Sequence, residues 1–175
     1  MRTETDDKLS TRDTPSLNGD QVKQQLQIWS RELGFQQLDI SDAELGEDEQ
    51  KLAQWLNAGM HADMEYMQAH GTKRTRPAEL VPGTISVISA RINYLTEQNA
   101  TAAAALERAH QGYISRYALG RDYHKLIRKK LQKLATKLSE LIGPFGYRVF
   151  TDSAPVMERA LARKAGLGWV GKHTN

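Results

Sequence analysis

A single carboxylate marks the point of the chain where residue type and spacing are most suggestive of chemistry. Asp152 follows a β-type run that ends at Thr151, and it precedes Ser153, Ala154 and Pro155. A carboxyl group at a strand end can lie at the rim of a pocket, where partial desolvation raises its pKa and lets it act as a general acid. The same position before a proline-started helix also suits an N-cap, and spacing alone favours the cap.

A second group of chemically capable residues lies in residues 113–124, YISRYALGRDYH. Two arginines, three tyrosines and a histidine surround Gly120 there, at a predicted strand-to-helix turn. Backbone N–H groups at a helix start bind anions, and tyrosine faces can line a flat cofactor. A solvated turn with scattered aromatic residues is the alternative, and the sequence alone leaves both open.

A third group is a run of cations along a predicted helix at 121–142, on the side opposite a stripe of leucines and isoleucine. The cations are Arg121, Lys125, Arg128, Lys129, Lys130, Lys133 and Lys137. Such a run suits a phosphate backbone, but it is more often the solvated face of an amphipathic helix. The solvated face is the favoured interpretation.

Composition narrows the possible chemistry. The 175 residues include no cysteine, so they contain neither a disulfide nor a cysteine-ligated zinc or iron–sulfur centre. The five histidines lack ligand spacing, and no metal site is predicted. The P-loop and GxSxG motifs are absent, and the net charge of +3 permits an acidic partner without requiring one.

Alternation of helices and strands positions these groups. Residues 1–20 are polar and are predicted to be a disordered extension, followed by one domain over residues 21–175. Hydrophobic periodicity predicts helices at 21–33, 48–57, 61–70, 121–142 and 155–165, and strands at 35–40, 84–94, 112–119 and 147–151, with a surface connection at 96–111.

This order predicts an α/β layered domain with a mixed central sheet flanked by helices on both faces. The glycine-rich segment 166–175 is typical of a turn that enters another element, so the domain is expected to be incomplete at its C-terminal end. The sequence has neither a membrane-length apolar run nor a secretory signal, and the expected location is the cytoplasm.

Five sequence runs resemble the N-terminal part of bacterial epoxyqueuosine reductases, in the same order from about Gln21 to the last residue. They are LGFQQLDISDAEL, RPAELVPGTISVIS, RINYL, ISRYALGRDYHKLIRKKL and TDSAPVMERALARKAGLGWVGKH. That family is similar to the reductive dehalogenases and to other cobalamin-processing domains. The resemblance implies a cobalamin-binding domain, and in the family a ferredoxin-like domain with two 4Fe–4S clusters follows it. The cysteine ligands of those clusters are absent from this chain.

The resemblance also implies roles for individual residues. Asp152 matches the family's proposed proton donor in the reduction of epoxyqueuosine to queuosine in the anticodon loop of tRNA. Cofactor and substrate contacts are expected, from motif position, at Tyr117, Gly120, Arg121, Tyr123, His124, Gly168, Gly171 and Lys172.

The expected partners are the tRNA and a low-potential electron donor. The protein is expected to be a monomer and to have no membrane partner. Because the chain has no cysteine, it is not expected to catalyse the reaction alone. The alternative is a non-catalytic corrinoid- or tRNA-binding module in which Asp152 is a structural helix cap.

Overall fold

The computed structural model describes residues 17–95 and 102–172. Its helices and strands follow in the order α1 (Gly19–Glu32), β1 (Gln37–Asp42), α2 (Gly46–Asn57), α3 (Pro77–Leu80), β2 (Ser86–Arg91), α4 (Ala102–Leu106), α5 (Tyr123–Ile142) and α6 (Glu158–Lys164). Single 3₁₀ turns occupy Glu65–Met67, Gly71–Arg74 and Arg116–Ala118. Most of the predicted extension at 1–20 lies outside the described residues.

Helix α1 begins where its capping chemistry places it. The Asn18 side chain accepts a hydrogen bond from the backbone N–H of Gln21 at 2.9 Å, and the Gln21 side chain accepts one from the backbone N–H of Asn18 at 2.9 Å. This reciprocal pair satisfies two N–H groups that would otherwise lack partners at the helix start. The predicted helix at 21–33 is confirmed, with a start two residues earlier.

Strands β1 and β2 pair antiparallel, with Gln37 opposite Arg91 and Asp42 opposite Ser86. The predicted mixed sheet is wrong for the described residues, which form a sheet of these two strands only. Residues 112–119 contain a 3₁₀ turn, and residues 147–151 pair with no described strand. Their β-branched and aromatic side chains favour a pleated surface, but without a hydrogen-bonding neighbour that preference does not make a strand.

Helices cover both faces of this small sheet, as predicted. On one face, Leu26 of α1 and Leu134 and Leu138 of α5 pack with Leu38 of β1 in a buried cluster. On the other face, Leu161 of α6 and Leu45 belong to a second buried cluster, against which Val87 packs. Because side chains alternate along a strand, Ile88 contacts the first cluster and its neighbour Val87 the second.

Two further predictions about elements are wrong. Residues 61–70 form turns around a short 3₁₀ piece, with Met64 and Tyr66 exposed and not in the core. Such a short segment lacks the apolar stripe that stabilises a helix by packing. Helix α6 starts at Glu158 and not at Pro155, because residues 154–157 bend to let the Met157 N–H reach the Arg74 carbonyl at 3.1 Å. The predicted connection at 96–111 contains α4, and residues 96–101 lie outside the described part.

In the part of the chain that the structure describes, no helix has the length and apolar character needed to cross a bilayer.

Candidate active site

The N-terminal end of α5 presents two ring side chains on a defined cap. Asp122 is the N-cap, and its carboxylate accepts a hydrogen bond from the His124 backbone N–H at 3.0 Å. The same oxygen, Oδ1, lies 2.9 Å from His124 Nδ1. One carboxylate therefore fixes both the helix start and the orientation of the imidazole, leaving Nε2 to face away from Asp122.

Asp152 meets these rings from the other side. The Tyr123 hydroxyl donates a hydrogen bond to Asp152 Oδ2 at 2.5 Å, and His124 Nε2 lies 3.6 Å from the same oxygen. The Tyr123 and His124 rings stack with centroids 4.0 Å apart. Asp122, His124 and Asp152 thus form a row in which the imidazole lies between two carboxylates, and Tyr123 anchors the second one.

The backbone of Asp152 is held in a rare conformation. Its φ of +53° lies in the left-handed region that a non-glycine residue seldom adopts. Its N–H donates to Glu158 Oε1, in the first turn of α6, at 3.1 Å. Left-handed backbone at such a residue costs on the order of 1 kcal/mol, so the contacts with Glu158 and Tyr123 must stabilise it.

The interpretation of Asp152 as a helix cap, favoured by spacing alone, is wrong. The residue before α6 is Met157, whose side chain makes no capping hydrogen bond, and Asp152 lies well upstream of it. Spacing suggested a cap because Pro155 was expected to begin the helix. The bend at 154–157 instead turns the Asp152 carboxylate toward α5.

The charges of the site follow from these contacts. The hydrogen bond to Asp152, with burial and the Asp152 charge, raises the pKa of Tyr123 to about 12. The hydrogen bond from His124 holds the pKa of Asp122 below its usual value. Burial raises the pKa of Glu158, and the nearby Asp152 charge adds to that effect. Tyr123 is therefore a donor at neutral pH, whereas burial and the Asp152 charge disfavour the charged form of Glu158 more than the Asp152 N–H favours it.

An aromatic cleft adjoins this group. Tyr117 meets Tyr123 edge to face at 6.3 Å between ring centroids. Tyr117 also lines an open cleft of about 420 Å³. The remaining lining residues are Tyr94, Leu95, Tyr113, Ser115 and Arg116. The cleft volume is within the range of roughly 300 to 1,000 Å³ seen for small-molecule sites.

The exposed tyrosine rings of this cleft and the open backbone at Gly120 suit a flat ligand. Tyr113 and Tyr117 are both exposed, so their ring faces are available for contact. At Gly120, with φ +88°, a side chain would meet nothing within 4 Å, so a flat group can approach the backbone closely. Beside Asp152, the buried Thr151 hydroxyl has no hydrogen-bond partner in the described residues. That hydroxyl is a polar group that a ligand or water can satisfy.

The residues predicted from the sequence divide into two sets. Tyr117, Tyr123, His124 and Asp152 come together as a contact group, and Gly120 and Arg121 lie in the turn that leads into α5. The second set lies in exposed chain after α6 and is not part of that contact group. It consists of Gly168, Gly171 and Lys172.

Sequence reasoning missed Asp122, which orients the His124 imidazole beside Asp152. The Asp-x-His spacing at the start of a helix was the available signal for Asp122. Within residues 17–95 and 102–172, no three His, Cys, Asp or Glu side chains are grouped as metal ligands.

The fold and site define a domain that holds an acid–tyrosine–histidine group beside an aromatic cleft. Two solved structures share the fold. The epoxyqueuosine reductase from Streptococcus thermophilus has a TM-score of 0.70 at 24% identity, over 86% of this chain and 40% of that chain. A selenomethionine-labelled epoxyqueuosine reductase has a TM-score of 0.68 at 22% identity, over 87% of this chain and 40% of that chain.

Sequence comparison finds relatives that share one name. Residues 74–153 match the family model described as epoxyqueuosine reductase QueG, DUF1730. The chain is 59% identical to the epoxyqueuosine reductase of Pseudomonas aeruginosa over 153 residues, which is 87% of this chain and 42% of the relative. It is 51% identical to that of Escherichia coli K12 over 158 residues, 90% of this chain and 41% of the relative.

The resemblance stated from the sequence motifs is therefore confirmed: the chain matches an N-terminal part of epoxyqueuosine reductase. It spans about 42% of the length of the curated relatives it matches.

Proposed function

We propose that this chain is the cobalamin-binding part of an epoxyqueuosine reductase, in which Asp152 gives a proton to the epoxide oxygen of epoxyqueuosine in tRNA. The observation that carries the proposal is the placement of Asp152, aimed by a strained backbone at Tyr123 and His124 beside an aromatic cleft. The names of the relatives support the substrate and the reaction. A tRNA substrate also implies the cytoplasm.

The reaction removes an epoxide oxygen and leaves an alkene, so it consumes two electrons and two protons and releases water. Bound cobalamin supplies the low-potential electrons at carbon. With no cysteine among its 175 residues, the chain has no thiolate to ligate a 4Fe–4S cluster. Electrons must reach the cofactor from elsewhere, and we propose that the chain alone does not turn over.

We propose that residues of this chain supply the proton that the epoxide oxygen receives. Asp152 must be protonated when the C–O bond breaks, and its Oδ2 lies 3.6 Å from His124 Nε2. Asp122 Oδ1 lies 2.9 Å from Nδ1 of the same ring, which turns Nε2 toward Asp152 and gives a proton a path to its carboxyl group. Tyr123 keeps the carboxyl group in place through the transfer, and Glu158 holds the Asp152 backbone.

The remaining predicted residues are proposed to hold the cofactor and the substrate. Tyr117 and Gly120 offer a flat ring face and open backbone to the macrocycle. Arg121 and Lys172 are exposed cations that suit amide oxygens or phosphates. Gly168 and Gly171 leave open space where a ligand can approach.

Titration with cob(II)alamin, followed by visible absorbance and EPR, tests the proposal. Stoichiometric binding with loss of the lower axial nitrogen signal is expected. Tyr117→Ala should weaken the binding because it removes a ring face from the cleft. Tyr66→Ala is the matched control, since Tyr66 is equally exposed but lies in another 3₁₀ turn and does not line the cleft. Absence of binding both by the chain and by a chimera with the rest of the Pseudomonas aeruginosa relative would overturn the proposal.

A further inference from the structure

The cations of α5 divide into two groups by what they contact. Lys130 Nζ donates to the Leu33 carbonyl at 2.6 Å, and Lys137 Nζ lies 3.3 Å from Glu32 Oε2, so both serve the packing of α5 against α1. Four others are exposed and make no hydrogen bond or ion pair within residues 17–95 and 102–172. We call these four the basic face: Lys125, Arg128, Lys129 and Lys133.

The basic face is arranged differently from an ordinary solvated helix face. At 100° per residue, Lys125, Lys129 and Lys133 form one i, i+4 row, and Arg128 lies beside it, opposite the buried Leu134 and the rest of the leucine stripe. A solvated face usually alternates charges of opposite sign, but the one acidic residue of α5 is Glu140, beyond the row. Like charges at i, i+4 destabilise a helix, so this arrangement does not serve the stability of α5.

The basic face is continuous with the candidate active site. Tyr123 and His124, which contact Asp152, are the first two residues of the same helix. The row from Lys125 to Lys133 then extends about 12 Å along the axis, at about 1.5 Å per residue. A polyanion that lies along the row would place one of its units beside Asp152.

We propose that the basic face binds the phosphate backbone of the RNA substrate and so guides one nucleotide to Asp152. The inference rests on the proposed function and deepens it by naming the surface that holds the nucleic acid. Long cationic side chains that make no hydrogen bond or ion pair with the protein can bind phosphates and release counterions, which makes such binding strongly dependent on salt.

The test is fluorescence anisotropy of a labelled synthetic RNA stem-loop with the 175-residue chain, over a series of salt concentrations. The variant replaces Lys125, Lys129 and Lys133 with Gln, which keeps helix propensity and removes like-charge contacts. Its melting temperature should therefore match or exceed that of the parent chain. The control replaces three exposed cations outside α5 with Gln for the same change in net charge, namely Lys51, Arg91 and Arg108.

We expect the α5 variant to lose roughly 10- to 100-fold in affinity, and the slope of log K against log salt to become shallower by about 2 to 3. The control should stay within about two-fold of the parent. Equal weakening of the two triple variants would overturn the proposal, as would failure of the parent chain to bind RNA at low salt. Tighter binding to vesicles of anionic phospholipid than to RNA would overturn RNA as the partner. The cobalamin titration uses no RNA and tests the proposed function separately.

Discussion

At the scale of residues, the site depends on one carboxylate whose position is determined by three neighbours. The Tyr123 hydroxyl donates a hydrogen bond to Asp152 Oδ2, and His124 Nε2 lies 3.6 Å from the same oxygen. Glu158 accepts a hydrogen bond from the Asp152 backbone N–H. The spacing of residues could not reveal this arrangement, because Tyr123 and Asp152 are 29 positions apart and the bend between Asp152 and α6 has no sequence signal beyond Pro155. The family motif identified Asp152, whereas its local pattern suggested a cap.

The hydrogen bond between Tyr123 and Asp152 makes a titration prediction. The pKa of Tyr123 is raised to about 12, so its phenol should ionise well above the ordinary value of about 10. In Asp152→Asn the negative charge is removed, and the pKa of that phenol should fall toward its ordinary value of about 10. NMR of the chain labelled at tyrosine Cζ, with Tyr123→Phe for assignment, measures both values. A Tyr123 pKa unchanged by Asp152→Asn would contradict the contact.

The backbone of Asp152 makes a stability prediction. Glycine accepts a φ of +53° without strain, whereas alanine does not. Both Asp152→Gly and Asp152→Ala remove the carboxylate, so they form a matched pair that differs mainly at Cβ. We expect the glycine variant to be more stable than the alanine variant by about 1 kcal/mol in urea unfolding. An alanine variant of equal or greater stability would show that the left-handed conformation is not present.

At the scale of elements, regular helical periodicity was a good guide, whereas β-type runs were confirmed at 35–40 and 84–94 but were wrong at 112–119 and 147–151. The stripes that include Leu26 in α1 and Leu134 in α5 predicted both helices, because each buries its stripe in the same cluster. Residues 112–119 and 147–151 have strand composition but no pairing partner in the described chain. Periodicity indicates which backbone conformation suits a segment. Strand pairing depends instead on which other segment lies beside it in the fold, and a single sequence does not specify that neighbour.

The packing of α5 against α1 predicts that Lys130 contributes to the stability of the fold. Lys130 Nζ donates to the Leu33 carbonyl at the end of α1 and lies 6.0 Å from the centre of the Phe35 ring. Lys130→Met keeps the aliphatic stem but leaves that carbonyl without its donor, and we expect a loss of about 1 to 2 kcal/mol in the free energy of unfolding. Lys129→Met, on the exposed side of the same helix, should change it by less than about 0.5 kcal/mol. Similar losses in the two variants would exclude this role for Lys130.

At the scale of the whole molecule, ion pairs join segments that are distant in sequence. Asp39 pairs with Lys23 at 2.7 Å, Asp42 contacts Lys164, and Glu49 pairs with Arg76 at 2.7 Å. In each case the hydrogen bond from the basic partner is the main cause that lowers the pKa of the acid. Their contribution to stability is present above their unfolded pKa values, near 4, and is lost as the pH falls through the lowered folded values.

The chain should therefore lose stability in acid. We expect its melting temperature to fall as the pH drops below about 4. The Asp39→Asn variant should have a lower melting temperature at neutral pH, but that temperature should fall less steeply in acid. Burial raises the pKa of Glu158, so its charged form lowers the stability of the fold as the pH rises past the unfolded pKa. We therefore expect Glu158→Gln to remove this loss, so that the melting temperature of the variant depends less on pH above that value. Scanning calorimetry across the pH range measures both variants. Parallel pH profiles for Asp39→Asn and the parent would refute the role of the pair.

The architecture as a whole was predicted in part. Helices on both faces of a sheet were expected and are present, since the alternating residues Val87 and Ile88 pack on opposite sides. The number of strands was not predictable, because it depends on long-range pairing. Placement of Gly168, Gly171 and Lys172 relative to Asp152 was equally beyond local pattern, since exposed chain after α6 has no packing to specify its direction.

The most direct test of the central claim is single-turnover reduction of epoxyqueuosine tRNA by a chimera in which this chain replaces the matching part of the Pseudomonas aeruginosa relative. Asparagine is nearly isosteric with aspartate and tolerates the left-handed backbone, so Asp152→Asn should keep the fold. The account predicts that this variant binds cobalamin and tRNA as the parent chimera does, but forms product at least roughly 100-fold more slowly. A rate within a few-fold of the parent, with binding intact, would contradict the assignment of Asp152 as the proton donor.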